Sequence, residues 1–426
     1  MKIRFVILLV CVSVLTTYAQ LTIEKCFEMA EQNYPQIKRY NLISQSESYS
    51  LSNASKAYMP QLYISGKATY QTDVTSIPIS MPSIDIPTIN KDQYQIVAEV
   101  NQTIFDGGVT KSQKQIIEAE HLVDKSQLDV EMYAIRERVN EIFFGILMID
   151  ERLSLNSLYL RELNVNLNKI NTAYGNGTAT QVDIDVVKVE IKQNTQQRIE
   201  LESLRKSYSN MLAYFVGLST DDNIYIVRPK LNDIDLNRYS GLFADSDIAT
   251  PEINYFHSNI NLLEVQKKKI NSANLPKLGA FIQAGYANPA LNMLKEGFRA
   301  YAVGGLKLSW NISNLYTKNN DYRKIDNAIK NTMVLQDVYL FNSRIKIIQQ
   351  QEAINSYRKK IEEDDDIIVL RKNIRLAAEN KIEFGIINST DIIREMNAEQ
   401  SAKQNKSTHE LEMMKYVYQL KHTLNQ

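Results

Sequence analysis

The sequence predicts a mainly helical chain with a small β component, built from one unit written twice, because three observations coincide. Short segments recur at constant offsets, two very long stretches contain no proline, and each copy carries two segments in which apolar and polar residues alternate. Each copy therefore reads helix, strand, loop, strand and long helical hairpin.

The chain opens with Lys2 and Arg4, an apolar run from Phe5 to Leu15, and Thr17-Tyr18-Ala19 before Gln20, which reads as a signal peptide over residues 1–19. That run is too short to span a bilayer, and no later stretch approaches about twenty consecutive apolar residues. Any membrane-spanning part must then be made of strands. Cys11 lies inside the apolar run behind Val10, a bulkier residue than a lipid-attachment box carries, so cleavage without lipidation is expected. Cleavage leaves Cys26 as the one cysteine, and the exported chain has no intramolecular disulfide. Lys+Arg and Asp+Glu each total 49, a balance that argues against binding nucleic acid by neutralising phosphates. The mean hydropathy of −0.31 suits a water-soluble helical protein, but alternating strands are hidden in such an average.

The repeat is read from matched segments. Tyr34-Pro35-Gln36-Ile37 recurs as Thr250-Pro251-Glu252-Ile253, and Met59-Pro60-Gln61-Leu62 as Leu275-Pro276-Lys277-Leu278, both 216 positions on (35 to 251, 60 to 276). Val100 to Ile104 matches Leu308 to Ile312, and Gly177 to Asp183 matches Gly385 to Asp391, both 208 positions on. The length change falls between Pro60 and Val100, in a loop that holds Pro78, Pro82 and Pro87. The expected organisation is a first copy over 20–217, a connecting segment over 218–249 and a second copy over 250–426.

Strands are expected near 61–71, 93–105, 277–287 and 299–311. In the first, Leu62, Ile64, Gly66, Ala68 and Tyr70 alternate with Tyr63, Ser65, Lys67 and Thr69, and the other three follow the same period of two. Each has about the ten residues that a tilted strand needs to cross a bilayer, with aromatic residues near several ends. Four strands cannot close a barrel, and open edges in lipid are prohibitive, so closure needs several copies of the chain. Three copies would give twelve strands. The same alternation also fits two hairpins of a soluble sheet.

Helical hairpins are expected near 109–217 and 316–424. A continuous helix from Val109 to Tyr174 extends about 100 Å at ~1.5 Å per residue, too long for an ordinary globular core. Val139, Ile142, Ile146, Ile149, Leu153, Asn156, Leu160, Leu163, Leu167, Ile170 and Tyr174 keep a three-four spacing, the seam of a coiled coil. The second copy keeps the register with weaker members: Ile354, Tyr357, Ile361, Asp364, Ile368, Arg371, Arg375, Ala378 and Ile382. Phe143, Phe144 and Leu147 lie off the first seam, as in a helix packed between two neighbours. The runs Glu362 to Asp366 and Lys267 to Lys269 read as solvated faces.

Enzyme chemistry finds no support. His121, His257, His409 and His422 are dispersed without metal-ligand spacing, and there is no phosphate-binding glycine loop or nucleophile elbow, so no catalytic residue, metal or cofactor is expected. A non-enzymatic alternative is an exported coiled-coil scaffold or adhesin.

Pro35 and Pro251, Pro60 and Pro276, Gln102-Thr103-Ile104-Phe105-Asp106-Gly107-Gly108, and above all Tyr174 to Asp183 with Phe384 to Ile393, resemble the outer-membrane efflux protein family of the TolC type over nearly the whole mature chain. The resemblance implies a homotrimer whose twelve strands, four per chain, form one transmembrane β-barrel continued by a long α-helical coiled-coil barrel. It implies a passive conduit in the outer membrane of a Gram-negative bacterium, with a large periplasmic part, serving efflux or type I secretion. The partners it implies are outer-membrane lipid, a periplasmic membrane-fusion adaptor and an inner-membrane pump of RND or ABC type.

Carried onto this sequence, the resemblance makes Gly177 and Gly385 helix turns that an adaptor contacts, and Asp183, Asp391 and Arg394 residues of the periplasmic aperture. A glycine suits a turn that needs φ > 0 and that side chains would crowd. Helix N-terminal capping is the competing role for Asp183 and Asp391. Asn311 to Tyr316 lacks the paired glycines of Gly107-Gly108, so the second strand-to-helix junction is expected to differ from the first.

Overall fold

The computed structural model describes residues 21–75, 89–219, 224–230, 248–293, 295, 297–383 and 388–425. The expected leader, Pro78, Pro82 and Pro87, most of the connecting segment, and Gly385 lie outside them. Two compact units are present, and each draws on both halves of the sequence: residues 38–128 with 252–337 in one, and the remainder in the other.

The unit of residues 38–128 and 252–337 holds all four strands: β1 (Gln61–Tyr70), β2 (Asp92–Phe105), β3 (Lys277–Asn288) and β4 (Arg299–Ser309). They form one antiparallel sheet in the order β1-β2-β3-β4. Helices α2 (Lys38–Ser55) and α5 (Pro251–Ala273) lead into β1 and β3. Pro60 and Pro276 stand one residue before each of these strands, where a missing N–H costs no ladder bond. Among the described residues, one edge of β1 and one edge of β4 carry no strand partner.

Helix α3 (Val109–Gly175) leaves β2 through a built junction. Gly107 and Gly108 adopt φ of 72° and 82°, and a side chain at Gly107 would stand 2.8 Å from Leu275 Cβ and 2.9 Å from the Ser272 carbonyl oxygen. Both conformation and space therefore demand glycine. The Asp106 carboxylate accepts from Thr110 N at 2.6 Å, Gly108 N at 2.8 Å and Tyr58 Oη at 2.8 Å, supplying the first-turn donors with partners. Burial opposes ionisation there, but these hydrogen bonds outweigh it and hold the carboxyl down at about 2. The second junction is built otherwise: a 3₁₀ turn at Ile312–Asn314 precedes α6 (Leu315–Glu383), and Asn311 makes no side-chain cap. The difference expected from the missing glycines is present.

The other unit is helical. It contains α1 (Ile23–Asn33), most of α3, α4 (Gln181–Val216), the later part of α6 and α7 (Ser389–Leu424). The α3 seam is its core: Val139, Ile146 and Leu163 have no exposed surface, and Ile142, Ile149 and Ile170 are buried. Phe143 and Phe144, off the seam, are also fully buried, so this part of α3 is covered on more than one side. The polar member Asn156 is buried and donates from Nδ2 to the Asn194 carbonyl of α4 at 3.1 Å. Gly217 ends α4 at φ 75°, and Asn33 packs where its side chain would be, donating to the Tyr214 and Phe215 carbonyls at 3.0 and 3.2 Å.

Two readings of charge runs need correction. Asp364 does not belong to a solvated face: it is buried, with His409 Nδ1 at 2.7 Å, while Glu362, Glu363, Asp365 and Asp366 are exposed. A carboxylate on a seam position turns inward, whatever its neighbours do. Lys267 likewise reaches Asp326 Oδ1 at 2.5 Å, and Lys269 reaches Gln113 Oε1 at 2.8 Å.

Candidate functional site

Strand register decides what the two sheet faces present. The pairings Ile64↔Ala98, Ala98↔Ala284 and Ala284↔Ala302 form one cross-strand row, and Gly66↔Ile96, Ile96↔Tyr286 and Tyr286↔Ala300 form the next on the same face. The apolar sets of all four strands thus fall on a single face. It is uncovered: Leu62, Ile64, Ile96, Ile282, Leu306 and Leu308 are each at least 64% exposed. At its loop end Phe298 stacks on Tyr286 with centroids 5.4 Å apart and lies 6.2 Å from Tyr94. At the helix end stand Phe105 and Trp310, whose Nε1 donates to the Asn274 carbonyl at 3.0 Å. The opposite face carries Ser65, Lys67, Gln95, Glu99, Asn101, Gln283 and Lys307.

The helix starts carry the residues singled out from the sequence. After α3, Gly177 turns the chain at φ 74°, which favours glycine, but no atom lies within 4 Å of the place its Cβ would take. The expected crowding is therefore absent and backbone conformation alone selects glycine. Thr180 and Asp183 form a reciprocal capping box on α4: Asp183 Oδ2 accepts from Thr180 N at 2.9 Å and from Thr180 Oγ1 at 2.6 Å, and the Asp183 N–H meets Thr180 Oγ1 at 3.4 Å. Asn388 and Asp391, each 208 positions on, form the same box on α7. Both aspartates are thus caps. They also reach beyond capping: Asp183 Oδ1 accepts from the Ser389 N–H at 3.4 Å, linking the starts of α4 and α7, and Arg394 Nη2 lies 3.2 Å from Asp391 Oδ1. The Thr180 hydrogen bonds, aided by Ser389, hold the Asp183 carboxyl below its usual range. Beneath these caps Ile184, Val187, Ile392, Ile393 and Met396 pack with Tyr159, Leu163 and Ile170 of α3. Gly385 lies outside the described residues.

One constellation escaped sequence reasoning. Glu399 of α7 is 2% exposed and meets Arg375 Nε at 2.5 Å and Lys403 Nζ at 2.7 Å, while Arg375 also pairs with Glu379. Burial opposes the Glu399 charge, but its two cationic partners prevail and hold the carboxyl below its usual range. Arg371 and Arg375 on seam positions were the available signal, since a buried cation requires an acid opposite. Among the described residues no group of His, Cys, Asp and Glu has the arrangement to hold a metal ion.

Comparison with known proteins agrees with this architecture. Residues 27–218 match the family model described as outer membrane efflux protein. A sequence search of curated proteins finds no match. Among solved structures, CusC superposes with a TM-score of 0.72 at 10% identity, covering 95% of this chain and 92% of that one. VceC of Vibrio cholerae gives 0.66 at 12% identity, with 94% and 95% covered. The open state of the MtrE outer membrane channel of Neisseria gonorrhoeae gives 0.63 at 12% identity, with 94% and 88% covered. Residues 27–218 thus match the outer membrane efflux protein model, and nearly the whole chain shares the fold of these outer-membrane channels.

Proposed function

We propose that the chain is the outer-membrane channel subunit of a tripartite efflux or type I secretion system: a passive homotrimeric conduit, not an enzyme. The observation that carries this is the uncovered apolar sheet face, aligned by register across four strands and flanked by aromatic residues at both ends. Soluble monomers rarely expose so large a contiguous apolar patch, whereas a lipid-facing barrel wall requires one between aromatic girdles. The partnerless edges of β1 and β4 argue for closure by neighbouring copies, and three copies give twelve strands. A second uncovered stripe, Val338, Phe341, Ile345 and Ile348 on α6, keeps the three-four spacing of a seam and suits a helix of a neighbouring copy.

In this reading the helical unit lies in the periplasm. Asp183, Asp391 and Arg394 form the aperture, and the open surface over Gly177, with its counterpart Gly385, receives a membrane-fusion adaptor coupled to an RND or ABC pump. The test is purification from the outer-membrane fraction followed by reconstitution in planar bilayers. A heat-modifiable trimer that conducts is expected. A monodisperse soluble monomer retaining its strand signal overturns the reading and favours a coiled-coil scaffold.

A further inference from the structure

The polar face of the sheet has an uneven charge, and register sorts that charge into tiers. Lys67, Gln95, Ala287 and Arg299 share one cross-strand row near the strand loops. At the helix end, Thr103, Gly279 and Lys307 share a row, and Lys277 faces Ser309 in the next. All four cations are exposed, and among the described residues none is in an ion pair. Among the described residues the one acid on this face is Glu99, in the middle row of Tyr63, Gln283 and Val303, where it accepts from Asn101 Nδ2 at 2.7 Å. Glu99 stands four residues along β2 from either basic row, roughly 13 Å at ~3.3 Å per residue. That separation exceeds the Debye length of about 8 Å at physiological ionic strength, so Glu99 leaves both tiers effectively cationic.

Two aromatic rings lie over glycines of this face. Tyr301 covers Gly285, where a side chain would approach its ring to 2.4 Å, and its hydroxyl lies 2.5 Å from Gln95 Nε2. Phe281 covers Gly305 at 3.1 Å in the same way. Rings laid against the wall leave the charged side chains as the projecting groups.

On the reading that this face lines a barrel closed by three copies, we propose that the strand-built stretch of the conduit is an anion-favouring filter, with Lys67 and Arg299 forming its outer cationic tier and Lys277 and Lys307 its inner one. The surplus is three positive charges per chain, repeated around one axis, and a low-dielectric wall focuses such a field on the lumen. Anionic solutes gain local concentration in this stretch and small cations are held back. The selection is by charge, since the neighbouring Gln, Ser and Thr side chains fit no single ligand shape.

The test uses the full-length trimer in planar bilayers under a KCl gradient. Lys67→Gln, Lys277→Gln, Arg299→Gln and Lys307→Gln together should shift the chloride-to-potassium permeability ratio toward potassium by about threefold or more. Inorganic triphosphate, added from each side in turn, should block the unaltered channel and require about tenfold more to block the variant. If the fourfold variant fails to assemble, Lys67→Gln with Arg299→Gln carries the same test at the outer tier. Unchanged reversal potential and triphosphate block in a conducting trimer overturn the filter. Failure of the unaltered trimer to conduct at all overturns instead the channel reading on which it rests.

Discussion

Ile64→Arg, set against Ser65→Arg, separates lipid from water as the medium outside the sheet. Ile64 is 74% exposed and belongs to the row of Ala98, Ala284 and Ala302, near the middle of β1; Ser65 is its neighbour on the other face. Facing water, an exposed Ile exchanged for Arg changes stability by no more than about 0.5 kcal/mol. Facing lipid near the bilayer midplane, the arginine costs about 2–4 kcal/mol per chain. In the proposed trimer this comes to about 6–12 kcal/mol, comparable to the about 5–15 kcal/mol by which a whole domain is stable. The expected outcome is loss of the heat-resistant trimer band and of outer-membrane yield for Ile64→Arg, with Ser65→Arg assembling as the unaltered chain does. Normal assembly and melting of Ile64→Arg, or equal damage from both changes, refutes the face assignment.

At the helix starts, Asp391→Asn with Arg394→Ala keeps an oxygen for the cap but removes an ion pair worth about 0.2–1 kcal/mol per chain; single-channel conductance should rise while trimers persist, and wild-type conductance would place the gate elsewhere. Asp106 has a lowered carboxyl, so its contribution is complete above the ordinary carboxylate range, around pH 4, and is lost as pH falls toward about 2; an acid melting series should show this step, and Asp106→Asn should remove it. Glu399→Gln leaves Arg375 with Glu379 as its remaining acid and takes the buried carboxylate from Lys403, which should cost about 1–3 kcal/mol, measured as a drop in urea midpoint; an unchanged midpoint would mean that solvent reaches the pair. Burial pushes the Cys26 thiol up to about 12, so maleimide should label it only in denaturant, and rapid labelling of the folded chain would contradict the packing of α1.

Where periodicity is unambiguous, sequence and structure agree closely. The alternation through Leu62 to Tyr70 marks β1 at Gln61–Tyr70, and the proline-free stretch from Val109 becomes α3 without a break to Gly175. Cross-strand register was not legible, because period two shows that each strand has an apolar face but not that four such faces coincide. That alignment is what turns an ambiguous sheet into a candidate membrane wall. At the site, a matched pair of short motifs located both helix starts, yet Asp183 and Asp391 were readable only as cap or aperture. The link from Asp183 to the Ser389 N–H joins segments 206 positions apart and leaves no local trace. Asp364 misled as part of an acidic run because composition outweighed its seam position.

The second helix pair raises a different question: how a seam that gives Ile and Leu over to Asp364, Arg371 and Arg375 keeps its register. Each charged position finds its partner on α7: His409 for Asp364, Glu395 for Arg371 at 3.8 Å, and Glu399 for Arg375. Sliding α7 by one turn in one direction sets Arg375 against Lys403 and Glu399 against Glu379, so that like charges meet. Sliding it the other way preserves acids opposite the arginines but sets buried Asp364 against Asn405 in place of His409. An uncompensated buried charge costs about 3–5 kcal/mol, more than a one-turn shift of partly exposed aliphatic side chains would. The ionic seam therefore contributes less to cohesion than the apolar seam of α3, but it penalises slippage in both directions. The start of α7 is set by the same register, and with it the place of Ser389, Asp391 and Arg394 beside Asp183. Reversing the pair as Arg375→Glu with Glu399→Arg should then disturb Asp391 and Arg394 less than Glu399→Arg alone, a difference that the conductance assay reads directly.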